Sequence, residues 1–442
     1  MRVLLVTDHF PPFIGGGHRW AGLLTAGLAR AGHEVTVATP WHKGESRSRV
    51  TPEGARVEPV RQLRTLFPRL VKDNRQQHAP PFPDPVSIFD LRRVIRTAAP
   101  DVVLTHGWIA ASLMVALWRS EVPVAISAHD YGYFCATRRL LHNDAMCSGP
   151  SPAKCLGCAA EYYGRPKGWI AVAGVGVSRR LIARRIAATQ SVTSFVDAVI
   201  HRFVLSGSDA ERPRRWVVPP FIDMSTENPE NSRQIAAVVE QLPREPFILF
   251  VGAFRRDKGL EVLFEAYRSL EDPPPLVLLG TLERDTPAIP AGVTAVYDVP
   301  HEAVVLAWNR AILGVVPSLL PEPLGTVCVE GIAQGVPMIA TEPSGMADVL
   351  RDATGLLIPQ NDAPALAAAM RTLLSDARLR ERLIERGLRR ADDFRADHVL
   401  TRYEAMLTEL VSERDRSRKR SRRDARGLKS GPETEPRHRH RA

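Results

Sequence analysis

The chain has 442 residues, 44% hydrophobic and 24% charged, a soluble globular composition too long for one hydrophobic core, so two domains of roughly 200 residues are expected. The first apolar run stops at Thr7 and Asp8, too short for a signal peptide. The longest run elsewhere, Trp169 to Val177, is half a membrane span, which points to a cytoplasmic protein. The formal charge of +10 is concentrated at one end, where twelve Lys or Arg oppose four Asp or Glu from Arg414 onward. Residues 413–442 hold few apolar side chains and read as a disordered basic tail, suited to peripheral contact with acidic headgroups at the inner face of a membrane. No aromatics interleave its arginines, which argues against a dedicated, specific nucleic-acid surface.

In chain order, Val3–Thr7 reads as a buried strand. It is followed by Gly15, Gly16 and Gly17 and by a helix with the apolar face Trp20, Leu23, Leu24 and Leu28, closed by Gly32; Val35–Thr39 is the next strand. This is a βαβ unit with parallel strands. Trp20 stands where a GxGxxG fingerprint needs its last glycine, which disfavours a dinucleotide enzyme. The three glycines still let backbone amides approach a ligand at the cleft. Residues 41–85, rich in Arg, Pro and polar side chains, read as a variable surface loop. Helix 86–98, strand 101–105, helix 108–118 and strand 124–127 follow. Both strands end at histidines, His106 and His129, on the edge of a parallel sheet where ligands bind.

Next come Cys135, Cys147, Cys155 and Cys158, the last two in CxxC spacing. In a cytosolic chain these are not stable disulfides, which leaves a structural zinc, reduced buried thiols or an occasional redox pair. Residues 169–187 read as a basic amphipathic helix with Arg179, Arg180, Arg184 and Arg185, and strand 216–218 with PPFID at 219–223 closes the first domain.

The second half opens with strand 247–251 and the turn GAFRRDKG. There Arg255, Arg256 and Lys258 bring cations to a helix N-terminus at Gly259, a place to stabilise a departing diphosphate. Strands near 276–279 and 293–297 and a helix at 301–309 precede the stretch VVPSLLPEPLGTVCVEGIAQGVPMIATEPSGMAD. A strand ends at Pro317, Glu322 follows in the loop, and a helix starts near Gly325 with Glu330 one to two turns in. The first helical amides, Thr326 and Val327, are free to meet an anion. Cys328 reads as core. Helices at 366–374, 379–388 and 398–411 complete the chain.

The segment PEPLGTVCVEGIAQGVPMIAT, with its two glutamates eight residues apart, resembles the Ex7E element of the retaining glycosyltransferases of family 4. PPxxGG with GHEVTV, HD after the strand at 124–127, the P-x-F-x-D link and the cysteine-rich insert are similar to other elements of that family. The resemblance covers roughly residues 1–412 and implies a GT-B fold, two Rossmann-like α/β domains facing each other across a cleft. It divides the chain into an acceptor-side domain at 1–221 with the insert at 135–158, a donor domain at 222–395 and a crossover helix at 396–412. It further implies metal-independent transfer of a sugar, with retention, from a nucleoside-diphosphate sugar to a sugar, lipid-linked or small-molecule acceptor. Carried over residue by residue, Glu330 meets the donor ribose and Glu322 the sugar hydroxyls. Lys258 with the amides of Gly325 and Thr326 receives the diphosphate, and His129 faces the reacting sugar. The family's G-R-x-x-x-x-K-G turn departs here, because Ala253 stands in place of its arginine and only Arg255 or Arg256 can substitute. A nucleotide-sugar epimerase and a catalytically silent sugar-nucleotide scaffold are the alternatives.

Overall fold

The computed structural model describes residues 1–12, 16–41, 48–66, 78–206, 213–221 and 232–427. Gly15, Ile222, Asp223 and the terminal residues 428–442 lie outside these. In chain order the strands of the first half are β1 (Arg2–Thr7), β2 (Glu34–Pro40), β3 (Arg49–Val50), β4 (Arg56–Val60), β5 (Val102–His106), β6 (Val124–Ala128), β7 (Leu141–His142), β8 (Ala145–Met146), β9 (Ala188–Ser191) and β10 (Arg214–Val217). The β7–β8 hairpin stands apart, and the other eight form one sheet in the order β10-β9-β6-β5-β1-β2-β4-β3. The second half supplies β11 (Phe247–Phe254), β12 (Leu276–Leu282), β13 (Thr294–Tyr297), β14 (Ala311–Val316), β15 (Met338–Glu342) and β16 (Gly355–Pro359), ordered β13-β12-β11-β14-β15-β16.

Apart from the β3–β4 pair, neighbouring strands of both sheets run parallel. Parallel strands are covered by helices on both faces, which is why β5 and β6 are buried along their whole length and read as unbroken apolar runs. In each sheet the order reverses beside the first strand laid down, between β1 and β5 and between β11 and β14. Side chains beyond the carboxyl ends of those strands therefore diverge and leave a crevice.

The helix Gly16–Arg30 buries Trp20, Leu24 and Leu28 against Val3, Leu5 and Val37. The last helix, Ala396–Gly427, returns to that same core with Val399, Tyr403, Met406, Leu407 and Leu410. Trp20 Nε1 donates to the Tyr403 hydroxyl at 3.0 Å, and Phe221 at the interdomain link stacks on the Tyr403 ring at 6.1 Å. Chain that follows the second domain thus braces the first.

Three expectations change. Residues 41–85 are not simply a loop: 49–50 and 56–60 extend the first sheet, because Val57 and Val60 each fill a core, one on either face of the sheet, and Leu63–Leu66 is a short helix. The basic helix begins earlier, at Arg165, and ends at Arg185. The tail read as disordered from residue 413 is helical to Gly427. Arg and Lys are good helix formers, and Arg414 donates to Asp101 O at 2.7 Å while Arg418 pairs with Glu121 at 2.8 Å, tying the added turns to the first domain. Among the described residues no helix is long and apolar enough to cross a membrane.

Candidate active site

The crevice between the two sheets holds a cavity of about 770 Å³. Gly16, Gly17, Arg19, Trp20 and His129 line it from the first domain. Lys258, Glu322, Glu330 and the Gly325–Val327 turn line it from the second, with Gly252 and His301. Lys258 follows β11 and Glu322 follows β14, so the reversal in strand order accounts for their meeting. Lys258 Nζ donates to Glu322 Oε1 at 2.6 Å, and Ser318 Oγ donates to the same oxygen at 2.9 Å.

The loop that carries Glu322 is fastened to the opposite domain. The Tyr131 hydroxyl donates to Pro321 O, Thr193 Oγ1 donates to Pro323 O at 2.8 Å, and within the loop Gly345 N donates to Glu322 O at 2.7 Å. Gly325 has φ 74°, and a Cβ there would run into the Met346 side chain; glycine alone fits this turn comfortably. The helix Thr326–Ala333 then starts with its N-terminal amides at the cavity wall. Glu330 Oε1 is 4.0 Å from His301 Nδ1. Burial pushes its carboxyl pKa up, opposed by the charges of His301 and Arg19.

On the facing wall, His129 Nε2 lies 2.9 Å from Ser127 Oγ. That hydroxyl donates to Gln190 Oε1, whose amide nitrogen is fixed by Val218 O at 2.6 Å. Ser127 can then only accept from His129, which assigns the proton to Nε2 and leaves Nδ1 as an acceptor. Burial draws the His129 pKa down to about 4, with Asp130 opposing, so the ring is neutral near pH 7. His129 packs on Trp20 with ring centres 4.2 Å apart.

The remaining expected residues fall elsewhere. His106 lies behind His129 at 4.9 Å, buried and outside the cavity wall. Arg255 gives two hydrogen bonds to Asp257, at 2.9 and 3.0 Å, and Arg256 turns outward to Glu261 at 3.2 Å. Neither lines the cavity. Asp257 is the reason: it also receives Arg139 of the first domain at 2.5 Å, so Arg255 serves an interdomain clamp.

The second cation at the cavity is Arg19, from the first turn after the glycines. A sequence signal existed for it, a cation two residues past Gly17, whereas His301 carried none.

Among the described residues no three His, Cys, Asp or Glu side chains are gathered as a metal requires. Cys135, Cys147, Cys155 and Cys158 are free thiols: Cys135 Sγ lies 3.4 Å from Thr137 Oγ1, Cys147 Sγ 3.7 Å from Gly149 O, Cys155 Sγ 3.3 Å from Ser151 N and Cys158 Sγ 4.0 Å from Leu141 O, and burial together with the three other thiols pushes the Cys158 pKa up. Cys155 and Cys158 share the helix Pro152–Tyr163, Cys135 precedes the β7–β8 hairpin and Cys147 follows it.

Residues 232–390 match the family model of group 1 glycosyl transferases, and residues 14–224 match that of glycosyltransferase family 4. A D-inositol 3-phosphate glycosyltransferase from Nocardia farcinica is 28% identical over 309 residues, 65% of this chain, and the match spans 61% of that relative's length. Sucrose-phosphate synthase from Thermosynechococcus elongatus shares the fold with a TM-score of 0.69 at 19% identity, over 93% of this chain and 100% of the other. HepE of Anabaena, solved with UDP-glucose, aligns with a TM-score of 0.61 at 15% identity, over 92% of this chain and 99% of the other. The fold is GT-B, each lobe of the cleft is matched by a glycosyltransferase model, and the chain belongs to the group 1 glycosyltransferases of family 4.

Proposed function

We propose that this protein transfers a sugar from a nucleoside-diphosphate sugar to a hydroxyl-bearing acceptor, with retention of anomeric configuration. The observation that carries the reading is that Lys258, Glu322, Glu330 and the Gly325–Val327 turn share one cavity. Glu330, deep on the helix, accepts from the ribose hydroxyls. The amides of Thr326 and Val327 with Lys258 receive the diphosphate, whose charge grows as the glycosidic bond breaks. This supplies the stabilisation a divalent ion gives in other transferases. Glu322, steadied by Ser318 and Lys258, accepts from the sugar hydroxyls. His129 offers a neutral Nδ1 to the sugar or to the incoming hydroxyl.

In a same-face displacement the departing phosphate oxygen takes the acceptor's proton, so no protein base is required. UDP-glucose, seen in HepE, is a reasonable first donor to try, and a polyol phosphate, named for the Nocardia relative, a first acceptor. Proton NMR of the earliest product tests the reading: an α-configured donor should give an α-linked product. A β-linked product would overturn retention.

A further inference from the structure

A second cavity, of about 450 Å³, opens on the first domain and shares no lining residue with the cleft described above. Its walls are Leu63, Pro81, Phe82, Trp108, Ile170 and Ala171, and its polar rim holds Arg64, His78, Asp84 and Lys167. Asp84 is already committed, accepting from Leu63 N at 2.8 Å and from Val86 N and Ser87 N at 2.9 Å. His78 Nδ1 lies 2.8 Å from Arg138 Nη1.

Between the cavity and the donor cleft stands a row of packed rings, His78 to His9 at 4.7 Å, His9 to His106 at 5.5 Å and His106 to His129 at 4.9 Å, with His9 and His106 buried. The cavity mouth sits at the tip of a helical hairpin, Pro152–Tyr163 and Arg165–Arg185. That tip exposes Tyr162 at 50%, Trp169 at 50% and Ile170 at 56%, with Val177 at 49% two turns on. Seven Lys or Arg and one acid, Glu161, lie within residues 152–185. Arg179 and Arg185 turn inward to carbonyls, whereas Arg165, Lys167, Arg180 and Arg184 are exposed beside the apolar stripe. Aromatic and aliphatic side chains bordered by exposed cations suit the headgroup level of an anionic bilayer.

We propose that the acceptor is a phosphate-bearing membrane lipid, that the hairpin tip seats on the bilayer surface, and that the second cavity takes the lipid's hydrocarbon chain while its head reaches the histidine row. An apolar cavity of this size has little use for a small polyol. Exposed cations, offset in the hairpin by Glu161 alone, face the charge such a lipid carries. The inference rests on the transferase reading and gives it an acceptor class.

Dodecyl phosphate, below its micelle concentration, is the soluble probe. Wild-type protein should bind it saturably by calorimetry, and inorganic phosphate should not displace it. Ala171→Phe, which fills the cavity, should weaken binding at least tenfold while nucleoside-diphosphate binding stays intact. Ile170→Glu, at an exposed position that leaves the core untouched, should do the same and should also reduce co-sedimentation with phosphatidylglycerol vesicles at least tenfold. Phosphatidylcholine vesicles should retain little wild-type protein.

No saturable binding of dodecyl phosphate, or binding unchanged in both variants, overturns the proposal. So does turnover of a soluble polyol phosphate at a rate neither variant nor vesicles affect. Loss of nucleoside-diphosphate binding in the wild type would instead sink the transferase reading itself.

Discussion

Replacing Lys258 by Ala tests the division of labour in the cleft. The ammonium lies 2.6 Å from Glu322 and is 24% exposed, with Glu322 at 14%, so the pair sits at the cleft surface rather than in a dry interior. Removing the cation leaves Glu322 with Ser318 Oγ at 2.9 Å and a path to water, so the stability cost should stay near 1 kcal/mol, typical of a partly solvated pair. The effect on turnover should be larger. A preorganised charge aimed at a developing oxyanion is worth about 10²–10³ in kcat, or roughly 3–4 kcal/mol. The assay is nucleoside-diphosphate release at saturating donor, with the donor KM followed in parallel. Lys258→Ala should lower kcat by about two to three orders of magnitude with KM changed less. A kcat within a factor of three of wild type would refute the assignment, since Arg255 and Arg256 are engaged elsewhere and cannot substitute.

Two further outcomes follow from the same geometry. The imidazoles behind the cleft are neutral when folded: burial draws His9 to about 3, His78 to about 2 and His129 to about 4, and His106 also well below its usual value, with Arg138 and Asp130 as their charged neighbours. Unfolded imidazoles take protons near pH 6.5, so between pH 6.5 and about 4 the unfolded chain binds more protons; stability is full above pH 6.5 and lost as pH falls. At pH 5 each costs about 2 kcal/mol, and the costs will not add fully in so close a cluster. Asp8 works in the opposite sense: burial pushes its carboxyl up to about 6, so it regains stability as pH falls from there towards 3.8 and offsets part of the loss. Urea midpoints at pH 7 and pH 5 should therefore drop for wild type and drop less for His9→Asn, and a flat profile would contradict the neutral row. Arg139→Ala removes one partner of Asp257 while Arg255 remains, so it should lower stability by about 1–2 kcal/mol and raise the donor KM as the domain seam loosens. Equal thermal melts and equal KM would show that the clamp does nothing.

How much of this was readable in the residues depended on whether neighbours in space were neighbours in sequence. The second sheet, the Gly325 turn and the helix bearing Glu330 lie within one contiguous stretch, and apolar runs broken by Pro317 and Gly335 mark their ends. The partnership of Lys258 with Glu322 needed only the order of strands in a parallel sheet. The fate of Arg255 was not legible. It depends on Asp257 being claimed by Arg139 across the domain seam, a contact between residues 118 positions apart. Likewise Val57 and Val60 read as loop residues until β2 supplies a partner strand. The helical run past residue 413 is held by Asp101 and Glu121, far from it in the chain, and composition alone read it as solvated tail. The four cysteines show the converse, a ligand-like spacing in which only Cys155 and Cys158 share an element and, among the described residues, no metal-holding cluster forms.

Nucleotide binding in the cleft is the property on which transfer depends most directly. Calorimetry with UDP, GDP and ADP on wild-type protein and on Glu330→Ala decides it. One nucleotide should bind the wild type saturably and lose at least tenfold in affinity in the variant, because a buried carboxylate bonded to ribose hydroxyls contributes about 1.5–3 kcal/mol. Failure of all three to bind, or equal binding by wild type and Glu330→Ala, would contradict the claim that this cleft holds an activated sugar.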